Sequence, residues 1–445
     1  MIPRQKRGIF FDMTSHELYP YFKNSTGISI DTRTVENGNL FFALKGDNFD
    51  GNLYADKALA AGASYAVIDD SNKLGPNCIL VEDCLKSLQD LARYHRESLG
   101  KGIKIFGLTG SNGKTTTKEL IYEILKTQFK VKATIGNLNN HIGVPLTLLR
   151  FQEEDEIGIV EMGANHQKEI EFLCSICKPD IGYITNFGKA HLEGFGGIEG
   201  VIKGKRELYT FLKENKGLVL LNNDDPIQKR ESLGIQNILF GKQNTEQLDY
   251  LIEENEDIEL NNPYVSLKLK GEKIQSNLTG QYNFNNISAA IAIGLFLKIS
   301  EENIKAALES YKPSNNRSQI ENTKRNQLII DAYNANPSSM EGAILNLLAL
   351  KAEEKWMILG DMFELGDYEA EEHKKVVLLA AKQNFEKLIF VGEAFSKCEM
   401  KLENQITFKT TDNLLHFLEE EKPKGKTILI KGSRGMKLER CIPLL

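Results

Sequence analysis

No stretch of this 445-residue chain approaches the roughly 18 uninterrupted apolar residues that a membrane-spanning helix requires. A basic excess is also missing. The 55 lysines and arginines face 61 aspartates and glutamates, for a net charge of −6. The charge stripe of a general polyanion binder is therefore not expected, and neither is a nucleic-acid partner. A small anionic substrate stays compatible, because a few local cations can hold one. Cysteine is scarce: Cys78, Cys84, Cys174, Cys177, Cys398 and Cys441 are too few for a disulfide scaffold at this length, which points to a reduced, cytoplasmic setting. Only Gly8-Ile9-Phe10-Phe11 separate the basic start from Asp12, too short an apolar run for a secretory signal. Repeats and low-complexity tracts are absent.

What is present is the composition of a globular protein, 41% hydrophobic and 26% charged, in a chain long enough for about three domains. The spacing of apolar residues predicts a small α/β domain over 1–100, with strands near Ile28–Ile30, Leu40–Ala43 and Tyr65–Ile68 and a helix over Tyr54–Ala61. A second cycle follows over 101–312. It has strands at Lys104–Leu108, Ile157–Val160, Ile181–Thr185 and Leu218–Leu221, a helix after Lys114, a β excursion around Val265–Leu269, and closing helices at Asn285–Leu297 and Glu301–Ser310. A third, Rossmann-like cycle over 313–445 has strands at Leu328–Ile330, Trp356–Leu359, Lys387–Val391 and Thr427–Ile430, with helices between them. Strands alternating with helices imply parallel sheets, which bind ligands beyond the carboxyl ends of their strands.

Thr109-Gly110-Ser111-Asn112-Gly113-Lys114-Thr115, followed by Thr116, sits between an apolar strand and a helix. Glycines let the backbone approach phosphates, the free N–H groups of the helix start face an anion, Lys114 adds charge, and the Thr115 hydroxyl suits magnesium. Leu108 occupies the position of the first glycine in the usual spacing, so the loop is the variant T-G-x-N-G-K-T-T. Glu161 ends a strand, where an acid can hold magnesium, and His191 follows another. Cys174 and Cys177 form a lone CxxC on a helical pattern and read as core. Gly280-Gln281-Tyr282-Asn283-Phe284-Asn285-Asn286 opens a helix, a setting in which asparagine serves as a cap. Asp331-Ala332-Tyr333-Asn334-Ala335-Asn336-Pro337 and Lys431-Gly432-Ser433-Arg434 each follow a strand.

Together these motifs resemble the Mur ligase family of peptidoglycan synthesis, over essentially the whole chain. The likeness includes Asp31-Thr32-Arg33, Phe42 to Gly46 and Asp50-Gly51, then the loop and Asn137 to Pro145. It continues through Glu161 to Asn165, His191 to Gly196, Asp331 to Pro337, Gly360 to Gly366, His373 and Lys431 to Arg434. The Asn139-Asn140-His141-Ile142-Gly143, Tyr333 to Pro337 and Gly360 to Gly366 runs point, within the family, to the branch that adds D-alanyl-D-alanine.

That resemblance implies a three-domain ATP-dependent, ADP-forming ligase. The tripeptide carboxylate of a UDP-N-acetylmuramoyl-tripeptide attacks the γ-phosphate of ATP, and the amine of D-alanyl-D-alanine then displaces phosphate from the acyl phosphate. Lys114, His191 and Lys205 are the implied catalytic residues. Two magnesium ions are implied at Thr115, Glu161, His191 and Lys205. Lys205 would carry a carbamate, with Lys203 as the alternative. Gly110 to Thr116, Asn283, Asn286, Arg317 and Asp331 are implied nucleotide contacts. Asp31, Thr32, Arg33, Lys45, Asn139, Asn140, Asn334, Asn336, Glu364 and Ser433 are implied on the substrate side. Tyr282 stands where the family commonly has histidine, and Asn316 where glycine is common. Since Arg317 and Asp331 lie in a different domain from the loop, the site should be complete only when domains close, in a monomer. Other amide ligases of the superfamily, such as a diamino-acid-adding Mur ligase or a folylpolyglutamate synthetase, and a P-loop nucleotide switch are the alternatives.

Overall fold

The computed structural model describes residues 13–243, 245, 247–255, 262–313, 317, 319–352, 354–383, 385–398 and 403–445. Residues 1–12, with the basic start, and Asn316 lie outside them. The chain packs as two compact units. One holds residues up to 107 with 129–163 and 169–181; the other holds 108–128, 164–168 and 182–445.

In the first unit a four-stranded parallel sheet has the order Ile28–Ser29, Leu40–Phe42, Tyr65–Ile68 and Cys78–Leu80. The fourth strand and two flanking helices, Ser15–Lys23 and Cys84–Ser98, extend the sequence expectation. Ser15–Lys23 begins with a capping box, Thr14 accepting from the Glu17 N–H while Glu17 reaches back to the Thr14 N–H at 3.0 Å. Such reciprocal satisfaction of free N–H groups fixes a helix start. Cys174 and Cys177 are fully buried on the helix Glu169–Cys177, 3.8 and 3.7 Å from the Met162 sulfur. Burial pushes the Cys177 thiol up to about 12, so the pair packs as core.

The middle segment pairs its strands in parallel: Val131–Ala133 with Ile157–Glu161 in the first unit, and Leu218–Asn222, Asn237–Gly241 and Tyr250–Leu251 in the second. The expected β excursion is an antiparallel hairpin, Tyr264–Leu269 with Glu272–Thr279, in which alternate residues are buried. The helix expected from Asn285 starts earlier, at Tyr282. Its N-cap is Gln281 and makes no side-chain cap bond, so the asparagines do not cap it.

The last segment is a six-stranded sheet in the order Gln319–Asn322, Gln327–Asp331, Thr427–Lys431, Lys355–Gly360, Lys387–Val391 and Gln405–Phe408, parallel except at the first strand. Its four inner strands are continuously apolar between their ends, as Leu328–Ile330, Trp356–Leu359, Leu388–Val391 and Ile428–Ile430, because both faces are covered. Ile329, Met357, Leu359, Leu388, Phe390 and Leu429 enter one core, while Leu328, Ile330, Trp356, Ile358, Ile389, Val391, Ile428 and Ile430 enter the other. The period of two along each strand sorts them. The first of these cores also takes Leu192, Phe195 and Val201 from the middle segment, which anchors the loop after the Ile181–Ile184 strand to the C-terminal sheet.

Candidate active site

The phosphate loop connects the strand Lys104–Thr109 to the helix Lys114–Leu125. Gly113 has φ 79°, in the left-handed region, and a Cβ there would lie 2.5 Å from Asn286 Oδ1; at Gly110, φ 140°, it would meet Thr185 Oγ1 at 2.0 Å. Only glycine fits both constraints. The loop peptide is held from a neighbouring strand end. The Asn112 N–H donates to Asn186 Oδ1 (3.2 Å), while the Asn112 carbonyl accepts from the Thr185 hydroxyl (2.5 Å) and Asn186 Nδ2 (3.0 Å). The Ser111 hydroxyl donates to the Gly188 carbonyl at 2.6 Å. Lys114 curls back, its ammonium 2.7 Å from the Gly110 carbonyl and 3.3 Å from that of Ser111. Thr115 and Thr116 are buried in the first helical turn. The outcome is a rigid ring of backbone donors at a helix start, the arrangement that binds phosphate.

The second unit brings residues of the last segment to this loop. The amides of Asn112 and Asn336 pair reciprocally: Asn336 Nδ2 donates to Asn112 Oδ1 at 2.7 Å, and Asn112 Nδ2 to Asn336 Oδ1 at 3.3 Å. His191, at φ 53°, pairs through Nδ1 with the carboxylate of Glu364, at φ 61°. Left-handed backbone is uncommon for either residue type and costs on the order of 1 kcal/mol or more each. The His191 bond holds the Glu364 carboxyl below its ordinary value. Lys189 Nζ lies 2.8 Å from the buried carboxylate of Glu372.

Family models match in three consecutive segments: "Mur ligase family, catalytic domain" over 24–95, "Mur ligase middle domain" over 108–294, and "Mur ligase, glutamate ligase domain" over 316–434. The UDP-N-acetylmuramoyl-tripeptide–D-alanyl-D-alanine ligase of Bacillus subtilis is 35% identical over 432 residues, 94% of this chain and 92% of that protein. The chain belongs to the Mur ligase family. Among solved structures, MurF from Acinetobacter baumannii superposes with a TM-score of 0.84 at 30% identity, covering 97% of this chain and 98% of that one. MurF from Thermotoga maritima, solved in complex with ADP, superposes with a TM-score of 0.81 at 26% identity over 95% and 97%. The family resemblance, the three-domain α/β architecture and the ATP-dependent ligase class expected from sequence are all borne out.

The other residues singled out from sequence fall into three environments of this Mur ligase. Asn283 and Asn286 are buried, and their amides bond to protein. Asn283 Nδ2 donates to the Thr279 carbonyl and Asn286 Nδ2 to Asn283 Oδ1, both at 2.7 Å, and the Thr117 hydroxyl donates to Asn286 Oδ1 at 3.1 Å. They tie the helix Tyr282–Phe296 to the loop helix. Asp331 accepts from Lys431 Nζ (2.5 Å), a lysine 1% exposed that also donates to the Asn334 carbonyl (3.2 Å). The exposed Asn334 bonds through Oδ1 to the Ala335 N–H. Arg317 lies over the Tyr333 ring, 3.7 Å from its centroid. Ser433 accepts from the Phe363 N–H at 3.0 Å, which fixes the Gly360 to Gly366 run. Within that run the Asp361 carboxylate accepts from the Ala394 and Phe395 N–H groups. His373 Nε2 accepts from the Met362 N–H at 3.0 Å.

In the first unit, Asn139 Nδ2 donates to Glu161 Oε1 at 2.8 Å, whereas Asn140 Oδ1 accepts from the Ile142 and Gly143 N–H groups and so shapes its own turn. Arg33 grips Asp31 through Nε and Nη2. Lys45 pairs with Asp69 at 2.8 Å, and Thr32 is half-buried.

For the implied magnesium, Thr115 offers a hydroxyl and Glu161 a carboxylate that is 1% exposed. Both are hard oxygen donors and fit magnesium, which takes most of its ligands from phosphate and water. Among the described residues no group of three or more His, Cys, Asp and Glu forms a self-sufficient metal site. Lys205 is 1% exposed on the helix Ile198–Glu214, donating to the Ala164 carbonyl at 3.1 Å with the Phe195 ring beneath it, while Lys203 is exposed. An ammonium has no lone pair for a cation; a carbamate on Lys205 would supply oxygen donors. Thr185 and Asn186, which hold the loop, and Lys189, Ser338 and Glu372, which bond beside it, are not among the residues singled out above. Polar side chains at the end of the Ile181–Ile184 strand signalled the first two; no local signal marks the others.

Proposed function

We propose that this ligase joins D-alanyl-D-alanine to a UDP-N-acetylmuramoyl tripeptide, forming the pentapeptide precursor of peptidoglycan in the cytoplasm as a monomer. What carries the reading is the near full-length match to a ligase whose name states that reaction. The tripeptide carboxylate attacks the γ-phosphorus of ATP and ADP leaves. The D-alanyl amine then attacks the acyl carbon, loses a proton, and expels phosphate. Both steps gather negative charge, so neutralisation by preorganised donors is the main requirement. The N–H groups at the start of the Lys114–Leu125 helix and the Lys114 ammonium meet it at the phosphates, with Lys114 exchanging its loop carbonyls for phosphate oxygen. Magnesium, when bound, would shield phosphate charge; Thr115 and Glu161 are the oxygen donors proposed for it, and His191 with a carbamylated Lys205 for a second ion. Asn283, Asn286, Asp331 and Arg317 are proposed on the nucleoside and phosphate side. Asn139, Asn140, Asn334, Glu364 and Ser433 are proposed near the peptide, and Asp31, Thr32, Arg33 and Lys45 on the UDP arm. The test is mass spectrometry of the product from ATP, D-alanyl-D-alanine and defined tripeptides ending in lysine or diaminopimelate. A pentapeptide product with stoichiometric phosphate supports the assignment. Phosphate release with single amino acids but not the dipeptide refutes it.

A further inference from the structure

The pairing of Asn112 with Asn336 joins residues 224 positions apart, and both ends are constrained before they meet. The Asn112 peptide is fixed by Thr185 and Asn186, so its side chain is the loop's means of reaching outward. Asn336 is 8% exposed and caps the helix Pro337–Ala349, its Oδ1 accepting from the Ser339 N–H at 2.9 Å and its own N–H donating to Ser339 Oγ at 3.0 Å. The cap identifies Oδ1 as the acceptor, which leaves Nδ2 as the donor facing Asn112. One residue into that helix, the Ser338 hydroxyl accepts from the Lys189 N–H at 2.9 Å. Gly188 lies between the two pins: a Cβ there would sit 3.0 Å from Asn112 Nδ2 and 3.1 Å from Ser338 Oγ. The approach of loop to helix is therefore close and polar on both sides, and a shift between them would break the bonds of a part-buried amide pair.

We propose that Asn112 and Asn336 are positioning residues whose reciprocal amide pair sets the register between the phosphate loop and the Tyr333–Pro337 run, and that they govern the rate of ligation, not nucleotide affinity. This rests on the ligation reading above. The loop's backbone donors and Lys114 meet the phosphates without Asn336, so nucleotide binding survives loss of the pair. The Tyr333–Pro337 run, with Arg317 stacked on Tyr333, loses its alignment with the loop. Misalignment on the scale of an ångström can cost up to about a hundred-fold in rate.

Asn336→Asp separates this role from a structural one. Aspartate caps a helix as well as asparagine does, so the helix start is kept, while the donor to Asn112 becomes an acceptor facing another acceptor. Asn112→Ala removes the pair from the other side and leaves its fixed peptide in place. The measurements are kcat for phosphate release, the Kd of ADP by calorimetry, and melting temperature, for both single variants and the double variant. Expected are a roughly ten- to hundred-fold fall in kcat for each single variant, ADP affinity within about two-fold, and a double variant no worse than the poorer single, since residues acting as one unit are not additive. Unchanged kcat in either single variant, multiplicative loss in the double, or ADP affinity falling in step with kcat overturns the proposal. If the wild-type protein ligates no dipeptide, the failure belongs to the ligation reading. The ADP affinities and melting temperatures of the variants still stand apart from it.

Discussion

The phosphate loop and the Asp31–Lys45 segment both carry residues suited to anionic groups, yet they are built differently. Around the loop, peptide groups are held by Thr185 and Asn186, side chains are buried or half-buried, and the two glycines sit where a Cβ would collide. In the other segment, Arg33 is 85% exposed on its side chain and Lys45 49%, and Gly46 has no atom within 4 Å of a would-be Cβ. The first region is preorganised and should respond to small changes with loss of chemistry. The second holds its charges in water, where ion pairs contribute little to folding, and should respond only when its ligand is present.

The largest contrast is expected at Lys114. Lys114→Ala should lower ligation on the order of a hundred- to a thousand-fold, the cost of removing a preorganised charge from a developing anion, with little change in melting temperature. Phosphate release under saturating substrates measures it, and activity within a few-fold of wild type would mean that the loop does not carry the chemistry. Glycines give the next contrast. Gly113→Ala must hold φ near 79° against Asn286, a strain on the order of 1–3 kcal/mol that should appear in the urea midpoint and in weakened ADP binding. Gly46→Ala should leave both unchanged. Equal effects at the two glycines would erase the comparison.

A third contrast is between ion pairs. Glu372 is buried, and although burial raises its carboxyl, hydrogen bonds from Lys189 and Lys375 outweigh this and hold it below its ordinary value of 4.5. A depressed carboxyl stabilises the fold above its unfolded value and loses that contribution as pH falls through the folded one. Glu372→Gln should therefore cost about 1–2 kcal/mol near neutral pH, and the gap from wild type should narrow as the medium is acidified below pH 4.5. Urea midpoints across that range measure it. A gap that widens on acidification would show that the pair does not stabilise the fold.

The parts of this site that could be read from sequence are those whose logic is local. The glycine loop with its helix, and polar residues at strand ends, need only neighbouring residues to be recognised. That Lys205 is buried while Lys203 is exposed was also within reach: Val201, Lys205, Leu208 and Leu212 share one helical face, and all are buried. What could not be read is partner choice at long range. An amide serves a ligand or the protein alike, and the sequence does not show that Asn336 pairs with Asn112 or that Asn286 pairs with Thr117 and Asn283. Lys189 and Glu372, 183 positions apart, carry no local sign of each other. The uninterrupted apolar runs Leu328–Ile330 and Trp356–Leu359 mark strands covered on both faces, but not which residues each face meets.

The smallest expected effect on folding is at Asp31 and Arg33. Arg33 hydrogen bonds hold the Asp31 carboxyl at about 2, so the pair is fully charged throughout the working range and gives way only in strong acid. Its contribution is present above the ordinary carboxylate value and lost as pH falls through about 2. Asp31→Asn and Arg33→Ala should thus leave the melting temperature unchanged at neutral pH. If this segment holds the UDP arm, both should raise KM for the UDP-linked tripeptide while sparing kcat and KM for ATP, the signature of lost uniform binding. That rise should be independent of pH between about 5 and 9, because neither group titrates there. A fall in kcat at saturating tripeptide would place Asp31 and Arg33 with the preorganised region instead, and the distinction between the two regions would have to be redrawn.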